Sequence, residues 1–222
     1  MQQLIDGYTR FRSHVYPQNS HLFEQLAKGQ RPQVLFICCS DSRVMPEMMT
    51  QSEPGVLFPI RNAGNMVPAP SETGGGVAAT VEYAVRVLKV ADVVVCGHSN
   101  CGAMQALLQM DTLDSLPTVK AWLENTGALS QGLMTSFAGA AELPFEQRQQ
   151  LLADLNVMAQ VQNLKAHPAV YEAMRQGTLK VHGWMFHIGS GQISRLDEEK
   201  GTFVPLVAEG LHAVQIDERK IA

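Results

Sequence analysis

"VLFICCSDSR", residues 34–43, begins as an apolar run and ends in two adjacent cysteines followed at once by Ser40, Asp41, Ser42 and Arg43. A run this short, unbroken by polar residues, has the character of a parallel strand buried on both faces. "DVVVCG", 92–97, has the same character. Between the two, Val77, Val81, Ala84, Val85 and Leu88 fall on one side of a helix that starts at Gly74-Gly75-Gly76. Strand, helix and strand in that order form a β-α-β pattern, which predicts an α/β fold. "TLKVHGWMFHI" (178–188) and "GQISRLD" (191–197) meet at Gly189-Ser190-Gly191 as a hairpin. The expected sheet has about four parallel strands plus an antiparallel edge strand, and is flanked by helices.

Helix periodicity returns at 102–109, 116–130 and 146–175. Ahead of the first strand, Leu4, Tyr8, Phe11 and Val15 make one stripe of a helix over residues 3–16, which Pro17 should stop. A second short helix should start with Asn19 or Ser20 as its N-cap and end at Gly29. These two helices have little core of their own. Either they form an arm that packs on a partner subunit, or they cover their own sheet.

The chain has 222 residues, 45% of them hydrophobic, enough for one sizeable core. We therefore expect a single domain, with residues 1–30 as the helical arm and 31–222 as the α/β core. The net charge of −4 and the dispersal of the seventeen lysines and arginines offer no field for a phosphate backbone, which argues against nucleic acid as a partner. "MQQLIDGYTRFRSHVYP" carries charges throughout and has no secretory h-region, and no apolar run approaches the roughly 18–20 residues of a membrane span. A cytoplasmic protein is expected, so its four cysteines point to metal binding or packing rather than disulfides.

The second cysteine cluster is "CGHSNCGA", 96–103. His98 and Cys101 follow a buried strand in a glycine-flanked turn. If 34–39 and 92–97 are parallel neighbours, their carboxyl ends share the sheet edge where ligand sites of open α/β folds gather. Cys39 then meets His98 and Cys101. Two thiolates and an imidazole form a soft tetrahedral set suited to one Zn²⁺ per chain, with the fourth position open, as catalysis requires. Strand alternation turns Cys38 away from Cys39, and Cys96 lies within its strand, so both read as small buried hydrophobes. His14, His21, His167, His182, His187 and His212 are scattered singly and read as structural or solvated. Gly74-Gly75-Gly76 lacks a Walker lysine and the G-x-G-x-x-G spacing, and reads as close packing of the helix against the sheet or as near approach to the active site.

"CSDSR" (39–43) together with "GHSNCGA" (97–103) resembles the paired signature of the β-class carbonic anhydrases. The similarity extends through "GQRP" (29–32), "PGVLFPIRNAGNMVP" (54–68), "TVEYAV" (80–85) and "HGWMFHI" (182–188), and is nearest to the bacterial members that accompany cyanase. The resemblance implies zinc-dependent, reversible hydration of CO₂ to bicarbonate and a proton, possible support of cyanate metabolism, and a homodimer or dimer of dimers. It gives Asp41 and Arg43 catalytic roles. Asp41 accepts a hydrogen from the attacking oxygen and aims it, while Arg43 grips the carboxylate through paired hydrogen bonds. Gln30 would donate to substrate across a dimer interface and the Gly102 amide would donate from the turn. Phe58, Ala63 and Tyr83 would line the CO₂ pocket. Some members hold bicarbonate in a second pocket containing a tryptophan three residues before the first ligand. Here that residue is Phe36, so no such pocket is expected.

Relatives that hydrolyse CS₂ or COS keep the same zinc ligands and are the nearest alternative. The zinc nucleoside deaminases also use one His and two Cys, but their H-x-E and P-C-x-x-C motifs are absent. A non-catalytic zinc protein would lack the Asp41–Arg43 pair or supply a fourth ligand.

Overall fold

The computed structural model of the chain describes residues 1–71 and 75–207, without the side chain of Asn125. Gly74 and His212 lie outside the described residues. The two apolar runs pair with each other as β1 (Val34–Cys39) and β3 (Asp92–His98), inside a six-stranded sheet. The remaining strands are β2 (Leu57–Asn62), β4 (Lys180–His187), β5 (Gln192–Asp197) and β6 (Thr202–Pro205), in the order β2-β1-β3-β4-β5-β6. The first four are parallel, and the last two add in antiparallel fashion. The antiparallel edge therefore has two strands where the sequence had indicated one. The other edge strand, β2, contains Pro59, tolerable because an outermost strand needs no ladder donor on its free side.

Period-two alternation divides the core. Leu35, Ile37 and Cys39 of β1, with Val93 and Val95 of β3, face the helices. Phe36, Cys38, Val94 and Cys96 face the other way, with Phe186 and Trp184. The helical face is covered by α5 (Gly76–Tyr83), α6 (Gly102–Leu107), α7 (Pro117–Ser136), α8 (Phe145–Ala166) and α9 (Pro168–Arg175), numbered after the four helices described next. The expected helix over 146–175 is two. His167 adopts ψ 130° because the ring of Pro168 bars the helical region for the residue before it, and Pro168 then opens α9.

The N-terminal region is α1 (Gln2–Arg10), a widened turn over Phe11–Val15, α2 (Tyr16–Gln18) and α3 (Ser20–Leu26). The short α4 (Pro46–Thr50) follows β1. Pro17 does not end the first helix. In the widened turn the Tyr16 N–H bonds the Phe11 carbonyl five residues back, a register that spares the ring the usual clash, and the break comes at Asn19. Helix α1 buries no residue, and Leu4, Ile5, Tyr8 and Val15 are exposed. The arm is braced by Phe11, Tyr16 and Phe23, whose ring centroids lie 5.3–6.1 Å apart. It does not cover its own sheet.

Gly97, just before His98, allows α8 to lie close against the sheet. A Cβ there would sit 2.6 Å from Val157 Cγ2 and 2.9 Å from Met185 Cε. Gly97→Ala should cost about 1–3 kcal/mol through overpacking, read as a lower urea midpoint at unchanged slope.

Candidate metal centre

Because β1 and β3 are parallel neighbours, Cys39 and His98 end their strands on the same sheet edge. A tight turn follows β3, with Asn100 at φ 54°, and delivers Cys101 as the N-cap of α6. The candidate ligand atoms of Cys39, His98 and Cys101 lie within 4.8 Å of one another, and all three residues are buried. No other group of this kind occurs among the described residues.

The chemistry of the donor set fits a metal. His98 is fully buried, and its Nδ1 lies 3.0 Å from the Ser99 carbonyl oxygen, which can only accept. The proton is therefore assigned to Nδ1, and Nε2 carries a lone pair. That Nε2 has no hydrogen-bond partner. Leaving a buried acceptor unpaired costs about 1–3 kcal/mol, a penalty a bound cation removes. Cys39 is held well below the usual thiol range, chiefly because the Cys101 S–H donates to it, while Cys101 is pushed up by the same bond and by burial. The Gly64 backbone N–H also donates to Cys39 Sγ, at 3.4 Å. Cys38 and Cys96 lie on the opposite face, where burial drives Cys38 to about 12 and raises Cys96 too, so they remain inert thiols.

Asp41 lies beside this cluster. Its Oδ2 is 3.8 Å from His98 Nε2, yet both carboxylate oxygens are taken by Arg43. The Arg43 Nε donates to Oδ1 at 2.9 Å and Nη2 to Oδ2 at 2.7 Å, while the Arg43 backbone N–H adds a third bond to Oδ1 at 3.0 Å. This grip holds the carboxyl far below its ordinary range. Arg43 Nη2 also reaches the Asn100 carbonyl at 3.1 Å, tying the pair to the His98–Cys101 turn. Arg61, which the sequence reading missed, donates to the Asp41 carbonyl at 2.8 Å and to the Cys39 carbonyl at 3.3 Å.

Gly102 is the first residue of α6, and Ala63 follows Asn62, the strand partner of Cys39, so both border the cluster. Gln30, Phe58 and Tyr83 are not brought there within one chain. Gln30 precedes β1 at the opposite end of the sheet. Phe58 pairs with Leu35, four residues below Cys39 and so about 13 Å along the strand. Tyr83 packs 6.2 Å from Phe58 and is 45% exposed. Also missed were the amides of α8. Gln149, Asn156, Gln160 and Asn163 recur at spacings of 7, 4 and 3, which places polar groups on one helix face among apolar neighbours, and that pattern was a readable signal.

Comparison with known proteins agrees with this geometry. A family model described as carbonic anhydrase matches residues 34–193. A carbonic anhydrase of Pseudomonas aeruginosa is 50% identical over 206 residues, covering 93% of this chain and 92% of the relative. Among solved structures, the β-carbonic anhydrase CcaA aligns with a TM-score of 0.89 at 41% identity, over 94% of this chain and 92% of that one. A tetrameric β-carbonic anhydrase of Sordaria macrospora aligns with a TM-score of 0.76 at 31% identity, over 88% and 96% of the two chains.

Proposed function

This chain belongs to the β-class carbonic anhydrase family, and from that premise we propose that it is a zinc enzyme that interconverts CO₂ and bicarbonate, with Asp41 and Arg43 as its catalytic pair. The observation that carries the reading is the unpartnered Nε2 of His98, buried between two thiols and next to an arginine-held carboxylate. Cys39, His98 and Cys101 would hold the ion. When bound, Zn²⁺ supplies the Lewis acidity that makes a hydroxide nucleophile available near neutral pH.

The protein's own groups do the rest. Asp41, ionised at neutral pH and held in place by Arg43, is acceptor-only, so it takes the remaining hydrogen of the attacking oxygen and leaves a lone pair facing the carbon of CO₂. Since Arg43 occupies both carboxylate oxygens, Asp41 is restrained from becoming a fourth ligand. The Gly102 amide, at the start of α6, would donate to a substrate oxygen, and Ala63 would keep that side small. The test is stopped-flow CO₂ hydration near pH 8.5, with zinc determined on the same preparation. Fast hydration with about one zinc per chain supports the reading. Stoichiometric zinc without hydration across the alkaline range would overturn it and direct attention to COS and CS₂.

A second copy of the chain completes the site in this reading. Gln30, Phe58 and Tyr83 sit at the far end of the sheet from the metal ligands, and an apolar arm extends from the same end without covering its own core. We infer that a dimer lends these three residues to the partner's pocket, and that dimers pair further. Leu4→Glu with Tyr8→Glu should shift sedimentation toward the monomer and lower hydration by about 10- to 100-fold.

Phe36 is 1% exposed and packs edge-on to Trp184 at 5.9 Å, so this position offers no donor to an anion. Bicarbonate inhibition should accordingly be non-cooperative. A Hill coefficient clearly above one that disappears on mutation near Phe36 would contradict this. Support of cyanate breakdown is the physiological role we favour. In cells that contain cyanase, deletion of the gene should slow bicarbonate-dependent cyanate consumption, and unchanged consumption would remove the idea.

A further inference from the structure

We propose that Trp122 and Asn156 are positioning residues for the metal centre: together they clamp the Ala63–Gly64–Asn65 backbone so that the Gly64 N–H is aimed at, and draws charge from, the Cys39 thiolate. The inference rests on the zinc reading above and concerns residues that touch neither metal nor substrate.

The path is continuous. The peptide unit joining Ala63 to Gly64 donates its N–H to Cys39 Sγ at 3.4 Å, and its carbonyl accepts from the Trp122 indole Nε1 at 2.9 Å. Indole, peptide and thiolate thus form a chain in which each bond polarises the next. The following carbonyl, Gly64 O, accepts from Asn156 Nδ2 at 2.9 Å. Both ends of Gly64 are therefore held from the helical layer, by α7 through Trp122 and by α8 through Asn156. The residue sits at φ 82°, and a Cβ there would meet Ala103 Cβ and Met66 Cε, each at 3.0 Å, so only glycine adopts this bend against α6 without strain.

Asn156 is itself immobilised. It is 1% exposed, and its Oδ1 accepts from Ser130 Oγ and Gln160 Nε2, both at 2.9 Å. Gln160 Oε1 accepts the Val67 N–H at 2.8 Å, and Gln149 Nε2 donates to the carbonyl of the ligand Cys101 at 2.9 Å. Buried amides are expensive to desolvate, and a leucine face would pack α8 more simply. Two of them end on the backbone beside the thiols, Asn156 on the Gly64 carbonyl and Gln149 on the Cys101 carbonyl. The electrostatic consequence is specific. Two thiolates cancel the formal charge of a divalent ion and blunt its acidity, and an N–H aimed at one sulfur returns part of that acidity.

The test uses zinc- and cobalt-loaded forms of the full chain. Trp122→Phe keeps an aromatic side chain but removes the indole N–H donor together with its five-membered ring, and Asn156→Leu removes the second clamp. In both, the sulfur-to-cobalt charge-transfer band should move to lower energy, because the thiolate retains more charge, and zinc should be lost to a competing chelator with about 10- to 100-fold weaker retention. Ala166→Gly, which weakens the far end of α8, should lower Tm and leave the band in place. An unmoved band in both clamp variants, or an equal shift in Ala166→Gly, would overturn the proposal. CO₂ hydration by the wild-type protein, assayed alongside, reports separately on the carbonic anhydrase reading.

Discussion

Asp41→Asn is expected to lower kcat/KM for CO₂ hydration by about 10²–10³-fold while zinc content stays near that of the wild type. The amide keeps the size of the carboxylate but presents a donor where an acceptor-only group stood, so the attacking oxygen loses both its partner and its orientation. Arg43→Leu separates charge from position. An aspartate freed of its arginine rises toward an ordinary pKa near 4, yet remains ionised at neutral pH. Arg43→Leu therefore leaves the charge and removes most of the restraint, because the two guanidinium bonds to Asp41 are lost and only the backbone N–H bond to Oδ1 stays. A depressed carboxylate pKa contributes stability that is present above the unfolded value and lost as pH falls toward the folded one, so acid resistance should weaken in Arg43→Leu. The contribution is modest because the pair is partly exposed. Asp41→Asn retaining near wild-type hydration would remove Asp41 from the mechanism.

The adjacent cysteines supply the second large effect. Cys39→Ala should abolish stoichiometric zinc and bring hydration down to the buffer rate. It removes one of three ligands and leaves Cys101 and the orphaned His98 Nε2 facing each other. Cys38→Ala, one residue earlier, should keep both zinc and activity and cost about 1 kcal/mol, the loss of one small buried group from the opposite face of the sheet. Metal analysis, hydration and urea unfolding on the two variants read this directly. Loss of zinc in Cys38→Ala would show that the ligand assignment is wrong.

The β1–β3 pairing and the Cys39–His98–Cys101 cluster were legible without coordinates because their signals are short-range. β1 and β3 are apolar on both faces, and period-two alternation is enough to send Cys39 toward the helices and Cys38 away. Asp41 and Arg43 lie two and four residues from Cys39, close enough for spacing alone to place them beside the Cys39–His98–Cys101 cluster. β2 and β6 were hidden: a proline interrupts one and the other is only four residues long, and edge strands lack the continuous burial that announces β1. Pro17 was misread because a widened turn can absorb a proline, whereas Pro168 breaks its helix since no such turn precedes it.

What only the tertiary structure decided is which distant groups converge. Trp122 reaches Ala63 across 59 positions and Asn156 reaches Gly64 across 92, and no local pattern encodes such a pairing. The separation of Gln30, Phe58 and Tyr83 from the metal ligands is equally a matter of topology, because parallel strands put their two ends on opposite edges of the sheet. The sequence by itself determined the fold class, the meeting of Cys39 with His98 and Cys101, and the Asp41–Arg43 pair, through periodicities and spacings that act within a few residues. The bends, clamps and unpaired surfaces came from packing, which joins residues by space and not by order along the chain.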